Sequence, residues 1–371
     1  MRQLRIGIVG GSLAGLFAGI LLRRDGHDVR IYERSPMGLA GRGAGLVPQS
    51  EVFHILREIG VDHLATFGVV SEDRVYLTKT GVVAHKDHLP QMQISWDRLY
   101  SVVLANLGSE NYFLGKAVTA VELDYNVTTL RFDDGSDEAV DLVIGADGIG
   151  SVVRTSINSD AENKYAGYVA WRGLIPERDI PHSARSLVGN FTFYIADGNH
   201  ALGYLVPGAT GDVGEGNRRY NWVWFRFVDR DDLPHTLTGM SGQTSRFSLP
   251  RGELSEVRRQ ALREDAVRLL PPQFATAVEM EMTPSVQAVF DYSASHMSNS
   301  SIALIGDAAF VARPHTAMGV AKAAGDVLAL RAHLQGTNDL SLALRRYEAQ
   351  RAVIGREIVS YGQQLGRSSM R

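Results

Sequence analysis

Hydrophobic positions near the start of the chain follow the pattern of a strand, a tight turn, a helix and a second strand. The apolar run 4–9 predicts a buried strand, and Gly10-Gly11-Ser12 predicts the turn. A helix is expected from about 13 to 24, and residues 29–33 predict the next strand. This order is that of a parallel βαβ unit.

The segments that follow alternate between helical and extended patterns. We expect a glycine-rich loop at 38–45, a helix at 51–59, antiparallel strands within 69–94 around a turn at Gly81, a helix at 97–107, a hairpin at 118–132 and a buried strand at 140–148. From about 165 to 290 the chain is rich in aromatic and β-branched residues, which predicts a mostly antiparallel sheet with one helix at 254–269. A buried strand at 302–305 and long helices between 320 and 365 complete the pattern.

Composition excludes several classes of protein. The chain has 371 residues, 44% of them hydrophobic and 21% charged, which is ordinary for a globular protein. Its net charge of -3 gives no basic field that would attract nucleic acid. It contains no cysteine, which excludes a disulfide scaffold, a thiolate metal site and a catalytic thiol.

No targeting or membrane segment is expected. The first strand begins at residue 4, which leaves no room for a signal peptide before it. The longest apolar stretch, 13–22, is too short to span a bilayer. The cytoplasm is the expected location.

The turn after the first strand is a variant of the G-x-G-x-x-G fingerprint. Gly10 permits the tight turn, Gly15 allows close helix packing, and Ser12 replaces the second glycine with a small side chain that can donate a hydrogen bond. The amides at the helix start, from Ser12 through Leu13 and Ala14, suit a pyrophosphate. Glu33, with Arg34 beside it, ends the second strand, where an acid accepts hydrogen bonds from ribose hydroxyls and repels a 2′-phosphate. The motif predicts adenosine of FAD or NAD rather than NADP, without choosing between them.

Two later motifs favour a flavin. Residues 141–154 contain the sequence Gly-Ala-Asp-Gly at 145–148, and Gly306-Asp307 is followed by 313–315 and 318–321. Together with the first motif they resemble the class A flavoprotein aromatic hydroxylases, which have the para-hydroxybenzoate hydroxylase fold. The resemblance covers nearly the whole chain. Residues 165–173 and the Gly-Gly-Ser turn are most similar to the 2,6-dihydroxypyridine 3-hydroxylase branch of this class.

The resemblance implies a fold and an activity. The fold is α/β, a Rossmann-like FAD-binding domain (1–68, 95–164 and 291–371, with the last helices) into which a mostly antiparallel β-sheet substrate domain (69–94 and 165–290) is inserted. The activity is hydroxylation of a small electron-rich aromatic ring by non-covalently bound FAD, which NAD(P)H reduces and O2 converts to a flavin C4a-hydroperoxide. It also implies that the protein excludes water and helps to deprotonate a ring hydroxyl.

The resemblance also assigns cofactor residues. Asp307 is expected to accept hydrogen bonds from ribityl hydroxyls, and it can also cap the next helix. Pro314 and Gly319 bracket the loop along the flavin ring, and the helix that begins near Val320 and Ala321 would aim its amides at the flavin N1–C2=O edge. Asp147 is expected either to meet NAD(P)H or to be a structural carboxylate in the turn.

One feature departs from the family pattern. Trp96 stands where the resembling enzymes usually have an arginine that touches FAD, and Arg98 is displaced by two positions. Arg42 falls close to where the family places an arginine near FAD and NADPH. Arg42 is therefore expected to contact the cofactor, with an exposed loop arginine as the alternative.

The substrate candidates are Tyr204, His315, His54 and Trp222, with Pro314 at the ring. Tyr204 lies in an alternating segment and would hydrogen-bond a substrate oxygen, or pack as an ordinary sheet tyrosine. His315 is the candidate base because imidazole titrates near neutrality, and a loop histidine bonded to the backbone is the alternative. His54 is more typical of a structural histidine, and Trp222 of the sheet core.

Two other functions stay open, and a third is disfavoured. The first is an FAD oxidoreductase of the same fold that does not insert oxygen, and the second is a non-catalytic ligand-binding protein. An NAD-dependent dehydrogenase is disfavoured by the Asp307 loop. No metal site is expected, and the sequence leaves the oligomeric state open, a homodimer included.

Overall fold

A computed structural model describes residues 2–41, 43, 45–65, 67–108, 110–124, 127–158, 161–196 and 198–370. The strands are β1 (Arg5–Val9), β2 (Asp28–Glu33), β3 (Gly45–Leu46), β4 (Val69–Leu77), β5 (Val83–Ser95), β6 (Tyr112–Leu114), β7 (Val118–Asp124), β8 (Val127–Phe132), β9 (Asp137–Val140), β10 (Leu142–Gly145), β11 (Lys164–Pro176), β12 (Asn190–Ala196), β13 (Asn199–Val206), β14 (Arg219–Phe227), β15 (Ser248–Leu249), β16 (Ser285–Ser293), β17 (Ile302–Leu304) and β18 (Phe310–Val311). The α-helices are α1 (Leu13–Arg24), α2 (Ser50–Glu58), α3 (Trp96–Leu107), α4 (Val152–Thr155), α5 (Leu233–Thr236), α6 (Glu256–Leu269), α7 (Pro272–Met280), α8 (Gly319–Gln335) and α9 (Leu340–Ser369).

A five-stranded parallel sheet forms one half of the fold, in the order β17-β10-β1-β2-β6. Strands β10 and β17 are apolar and fully buried, and β1 is buried after Arg5, because both faces of the sheet are covered there. Ile8 faces α1, where it lies next to Gly15, whereas the α-carbon of Gly7 faces Leu130 of the three-stranded sheet β7-β8-β9. Helices α1, α2, α3 and α8 pack around this sheet, and the Rossmann-like prediction is confirmed.

A ten-stranded, mostly antiparallel sheet forms the other half, and its path runs β15-β16-β11-β14-β13-β12-β4-β5-β3. Alternate residues of β14 point to opposite faces. Tyr220, Trp222 and Trp224 belong to the core shared with α6 and α7, whereas Val223 and Phe225 belong to a small cluster on the other face. The predicted inserted sheet is therefore present, with α7 as an unpredicted second helix behind it.

The long helix α9 joins the two halves. Gly355 lies against the ring of Phe310, and Gly366 lies beside Arg313 and Tyr168, where side chains would collide. The hydroxyl of Tyr347 donates to the Leu304 carbonyl at 2.6 Å. Because these glycines have no side chains, the helix can approach the segment 310–316 closely.

Candidate functional site

The turn after β1 is shaped by two glycines that cannot carry a side chain. Gly10 has φ 107°, and a β-carbon there would lie 2.3 Å from the Ala146 carbonyl oxygen. A β-carbon on Gly15 would lie 2.0 Å from the Gly10 carbonyl oxygen. Ser12 is the N-cap of α1, but its hydroxyl makes no capping bond. The hydroxyl and the amides of the first turn, including those of Leu13 and Ala14, are therefore available to an anion.

A cavity of about 260 Å³ opens at this turn. Gly10, Gly11 and Ser12 form one side, and the ends of the neighbouring strands form the others. Glu33, Arg34, Trp96, Lys116, Asp147 and Gly148 also line it. The size and the backbone lining fit the adenosine and pyrophosphate part of a dinucleotide.

Glu33 holds the turn together as well as lining the cavity. Its buried carboxylate accepts hydrogen bonds from the Gly11 amide at 2.9 Å and from the Ser35 amide at 2.8 Å. Each carboxylate oxygen keeps a second lone pair, so bonding to ribose hydroxyls remains open to it. Arg34 is exposed at the cavity edge.

Trp96 forms part of the cavity wall, and a series of contacts between aromatic side chains holds it there. Its ring stacks on Tyr100 with centroids 5.1 Å apart, and the Tyr100 and Tyr112 hydroxyls are 3.0 Å apart. Tyr112 in turn donates to the Gly11 carbonyl at 3.0 Å. Arg98 lies outside this cavity and lines a separate one with Phe67 and Gly211. Arg42 lies outside the described residues.

Asp147 has the structural role that the sequence offers as one of its two roles. Its carboxylate turns away from solvent toward α4, where it accepts from the Ser151 hydroxyl and from the Val152 and Val153 amides, at 2.7 and 3.2 Å respectively for the amides. Burial raises the pKa of this carboxyl. The side chain therefore caps α4, and Asp147 lines the cavity with a carboxylate that is already bound to that helix.

Asp307 stands at the end of β17 with a cation beneath it. The amine of buried Lys322 donates to Asp307 Oδ1 at 2.7 Å and to the Phe310 carbonyl. The Asp307 side chain keeps 49% of its surface exposed, whereas Lys322 keeps 1%. One oxygen of Asp307 is thus oriented from below while the outer face stays open to a hydroxylated ligand.

A buried ion pair anchors the same turn. Asp326 accepts from the Gly306 amide at 2.9 Å and from Arg351 Nε at 2.7 Å. Gly306 has φ 60°, a left-handed conformation that favours glycine. The carboxylate on α8 therefore fixes the position of the turn that carries Asp307.

The segment 313–319 runs between the two sheets. Arg313 is bound to Asp291 at 2.8 Å, and Pro314, His315 and Thr316 form a 3-10 turn. Gly319 begins α8 with open space where its β-carbon would be, and no acidic residue occupies the first turn of that helix. Val320 is partly exposed and Ala321 is buried in the same turn.

His315 projects from this turn onto the second sheet. Its ring stacks on Phe225 with centroids 4.2 Å apart and lies 5.5 Å from the ring of His200. All four ring nitrogens of the two histidines are buried, and none has a hydrogen-bond partner within the part of the chain that the structure describes. Burial lowers the pKa of His200 to about 4, and burial together with nearby positive charge lowers the pKa of His315 to about 3.

Tyr204 and Arg172 lie on the same face of that sheet. The Tyr204 ring is 4.5 Å from that of Phe191, and Gly45 of β3 lies against Tyr204. Nε of Arg172 is buried without a partner, and its charge acts on Tyr204 and His315. Burial raises the pKa of Tyr204 and lowers that of Arg172. A patch of polar atoms without partners therefore faces the 313–319 segment.

Two sequence candidates lie elsewhere. Trp222 is on the opposite face of β14, packed against Gly173 in the core behind the sheet, because neighbouring strand positions point to opposite sides. His54 is exposed on α2, 3.9 Å from Glu58, so it is not part of the patch.

Sequence reasoning missed Arg172 and His200. Their signal was present in strand alternation, because His200 and Tyr204 are four residues apart on β13 and must share a face. Arg172 joins them only through the pairing of β11 with β14.

Comparison with known proteins agrees with this arrangement. The FAD binding domain-like family matches residues 165–291. The 2,6-dihydroxypyridine 3-monooxygenase of Paenarthrobacter nicotinovorans is 33% identical over 93% of this chain and 86% of its own. The 6-hydroxynicotinate 3-monooxygenase of Pseudomonas fluorescens is 27% identical over 94% and 87%.

Solved structures show the same fold. The 2,6-dihydroxypyridine-3-hydroxylase from Arthrobacter nicotinovorans superposes with a TM-score of 0.92 at 31% identity, covering 99% of this chain and 93% of that one. Klebsiella pneumoniae HpxO, complexed with FAD and uric acid, gives 0.78 at 22% identity, with 98% and 88% covered. Among the described residues, no helix has the length and apolarity needed to cross a membrane.

Proposed function

The chain belongs to the family of FAD-dependent aromatic hydroxylases, and from that premise we propose that it inserts one oxygen atom of O2 into a small, hydroxylated heteroaromatic ring, with NAD(P)H as reductant. The hydroxypyridines named for its relatives are the substrate class that we favour. The observation that carries the proposal is a patch beside Tyr204 where the ring nitrogens of His200 and His315 and Nε of Arg172 are buried without hydrogen-bond partners among the described residues. Such atoms are rare in folded proteins and indicate a polar ligand.

The residues around the first turn would hold the adenosine end of FAD. Ser12 offers its hydroxyl, and the amides of Leu13, Ala14 and Gly15 follow in the first turn of α1. Glu33 and Arg34 would face the ribose and Trp96 would pack against the cofactor, without the cation that the family pattern has there.

The residues around the second turn would hold the flavin end. Asp307, oriented by Lys322, would accept from ribityl hydroxyls. Pro314, Gly319, Val320 and Ala321 would lie along the ring and present the helix amides to it. When bound, FAD would be reduced by NAD(P)H and would then activate O2.

The side chains of the second sheet would then handle the substrate. The rings of Phe225 and Tyr168 contact His315, and the ring of Phe191 contacts Tyr204, so these aromatic faces would pack against a substrate ring. Burial lowers the pKa of His315 to about 3, which argues against the predicted role as a base; the neutral imidazole would instead exchange a hydrogen bond with a polar group of the substrate ring. Tyr204 keeps its proton and can donate a hydrogen bond to a ring oxygen.

Residues 1–68, 95–164 and 291–371 are assigned in this proposal to the cofactor, and 69–94 and 165–290 to the substrate. Gly45 of β3, which pairs with the second sheet, would link the two. A cytoplasmic setting accords with a chain without cysteine.

The test is a screen of hydroxylated pyridines and phenols with the FAD-loaded protein under ¹⁸O2. We expect one or more of them to stimulate NAD(P)H oxidation and to yield a product that carries one labelled oxygen. Stimulated oxidation with an unlabelled, dehydrogenated product would instead support an oxidoreductase that does not insert oxygen. No stimulation by any compound would contradict both.

A pair of histidine variants tests the assigned pocket. His315→Ala should lower the yield of labelled product per NAD(P)H and raise the yield of hydrogen peroxide, because the substrate ring would no longer be held in position. His54→Ala makes the same change at an exposed imidazole outside the patch and should leave both yields unchanged. Equal yields in the two variants would remove His315 from the mechanism.

A further inference from the structure

Arg172 lies on the substrate-facing side of the second sheet, on β11, which is paired with β16 on one side and β14 on the other. Arg172 of β11 pairs with Val223 of β14, which pairs with Leu202 of β13. Residues paired across neighbouring strands point to the same face. On β13, Tyr204 and His200 lie two residues to either side of Leu202 and therefore share its face. The long Arg172 side chain thus lies on the face that carries Tyr204 and His200.

The Arg172 side chain has no counter-ion among the described residues. It makes no hydrogen bond or ion pair in that part of the chain, and its Nε is buried. Asp291, the carboxylate near the 313–316 turn, is already bound by Arg313 through both of its oxygens. The patch therefore carries one uncompensated positive charge.

The other titratable groups facing Arg172 do not change this charge near neutral pH. His200 and His315 have pKa values lowered to about 4 and about 3, so both are neutral. The pKa of Tyr204 is raised, so the phenol keeps its proton. From about pH 5 to pH 9 the patch thus holds a constant charge of one.

Arg172 is half-buried, with its Nε fully buried. A cation that is partly removed from water without a partner is unfavourable, and an anion that reaches it restores the balance. We propose that Arg172 binds an anionic oxygen of the substrate, so that the ring enters the site as its monoanion. The inference rests on the proposed function and names its substrate class, a hydroxylated N-heteroaromatic that ionises near neutrality. The proton of the ring hydroxyl leaves to solvent before binding, and Arg172 itself takes up no proton.

An ionised ring oxygen is one source of the anion, and a ring carboxylate is the other. Both present a planar oxygen acceptor to the guanidinium. 2,6-Dihydroxypyridine carries only ionisable hydroxyls, whereas 6-hydroxynicotinate carries a carboxylate that is ionised throughout the range. The two compounds are therefore the probes.

The experiment measures binding, not turnover. The oxidised, FAD-loaded protein is titrated with each probe under anaerobic conditions without NAD(P)H, and the Kd is obtained from the change in flavin absorbance between pH 5 and pH 9. For 2,6-dihydroxypyridine the Kd should fall as the free compound loses its first proton, measured separately by absorbance. For 6-hydroxynicotinate tight binding at all pH values would identify the carboxylate as a second acceptable source.

Three variants separate the role of Arg172 from a general effect. Arg172→Met should weaken binding of the anionic probe about 10- to 100-fold, the usual worth of a charge-assisted hydrogen bond, and should abolish the pH dependence. Arg172→Lys should restore the pH dependence in part, since it restores the charge without the planar fork. Arg178→Met makes the same change at an arginine that is 73% exposed at the end of β11 and should bind like the unmodified protein.

Two results would overturn the proposal. One is an Arg172→Met variant that binds the anionic probe within about threefold of the unmodified protein and keeps the pH dependence. The other is tighter binding of the neutral form by the unmodified protein. Neither depends on hydroxylation. If Arg172→Met loses anion binding but the unmodified protein gives no labelled product with any compound, the anion site is supported and the proposed function is refuted. If labelled product forms but Arg172→Met binds the anion unchanged, the proposed function is supported and the anion site is refuted.

Arg172→Met is expected to fold normally, because the substitution removes a charge that has no partner among the described residues. Weaker anion binding by this variant would therefore not be a result of misfolding. Its thermal midpoint without substrate should equal or exceed that of the unmodified protein. A lower midpoint would contradict the claim that Arg172 has no internal partner, and the Arg172→Lys titration would then decide the role of the charge.

Discussion

The substitution Arg351→Met tests how the cofactor turn is held in place. Arg351 on α9 binds Asp326 on α8, and their side chains are only 9% and 2% exposed. Asp326 also accepts from the Gly306 amide, immediately before Asp307. Methionine has about the volume of the aliphatic part of the arginine side chain. The substitution therefore leaves the Asp326 carboxylate buried without the Arg351 cation.

The expected loss of stability can be placed within a range. Breaking a buried ion pair from one side destabilises a protein by about 3–5 kcal/mol. The charge of Lys322 also acts on Asp326 and partly replaces Arg351. We therefore expect a loss near the lower end, about 3 kcal/mol, together with weaker FAD binding, because the Gly306 turn loses its anchor.

The assay is urea unfolding at a fixed excess of FAD, with flavin release followed by fluorescence. Arg346→Met, at an exposed position of the same helix, is the control and should stay within about 0.5 kcal/mol. Asp326→Asn combined with Arg351→Met removes the stranded charge, keeps an acceptor for Gly306, and should recover at least half of the loss. A loss below about 1 kcal/mol in Arg351→Met, or no recovery in the double variant, would refute the reasoning.

Three further predictions follow from single contacts. Gly10→Ala should abolish FAD retention, because a β-carbon would lie 2.3 Å from the Ala146 carbonyl oxygen; flavin content after gel filtration checks this, and normal content would contradict it. Asp307→Ala should weaken FAD retention, and an unchanged FAD Kd would count against that role. His200 has a pKa of about 4 in the fold against 6.5 unfolded, so the unfolded chain binds more protons and stability falls as pH drops from 6.5 toward 4. His200→Gln should remove about 3 kcal/mol of that acid-induced loss, seen as a flatter plot of urea midpoint against pH, and an unaltered plot would refute the buried neutral state.

The first βαβ unit could be predicted from sequence because its constraints are local. Gly10 and Gly15 are required by contacts within a few residues of one turn, and the apolar runs are buried on both sides. The alternation in β13 is likewise local, which is why Tyr204 could be proposed as a pocket residue. The same alternation pointed to His200, although it was not used.

Other assignments depended on partners far away in sequence. Which face of the second sheet meets the 313–319 segment is decided by the packing of α6 and α7 against the other face, and this sends Trp222 into the core. Asp147 follows a buried strand as expected, yet the helix α4 takes its carboxylate. Lys322 meets Asp307 only because α8 folds back under the turn.

The amino-acid sequence by itself determined the nucleotide turn, the order of the two sheets and the family, because glycine conformations, apolar periodicity and short motifs act over a few residues. Only the tertiary structure decided that Arg172 and His200 share a surface with His315, and that no carboxylate in the described part of the chain pairs with Arg172. Charge balance in a pocket is the sum over groups brought together from distant strands, so it follows from strand pairing and burial and not from any one segment.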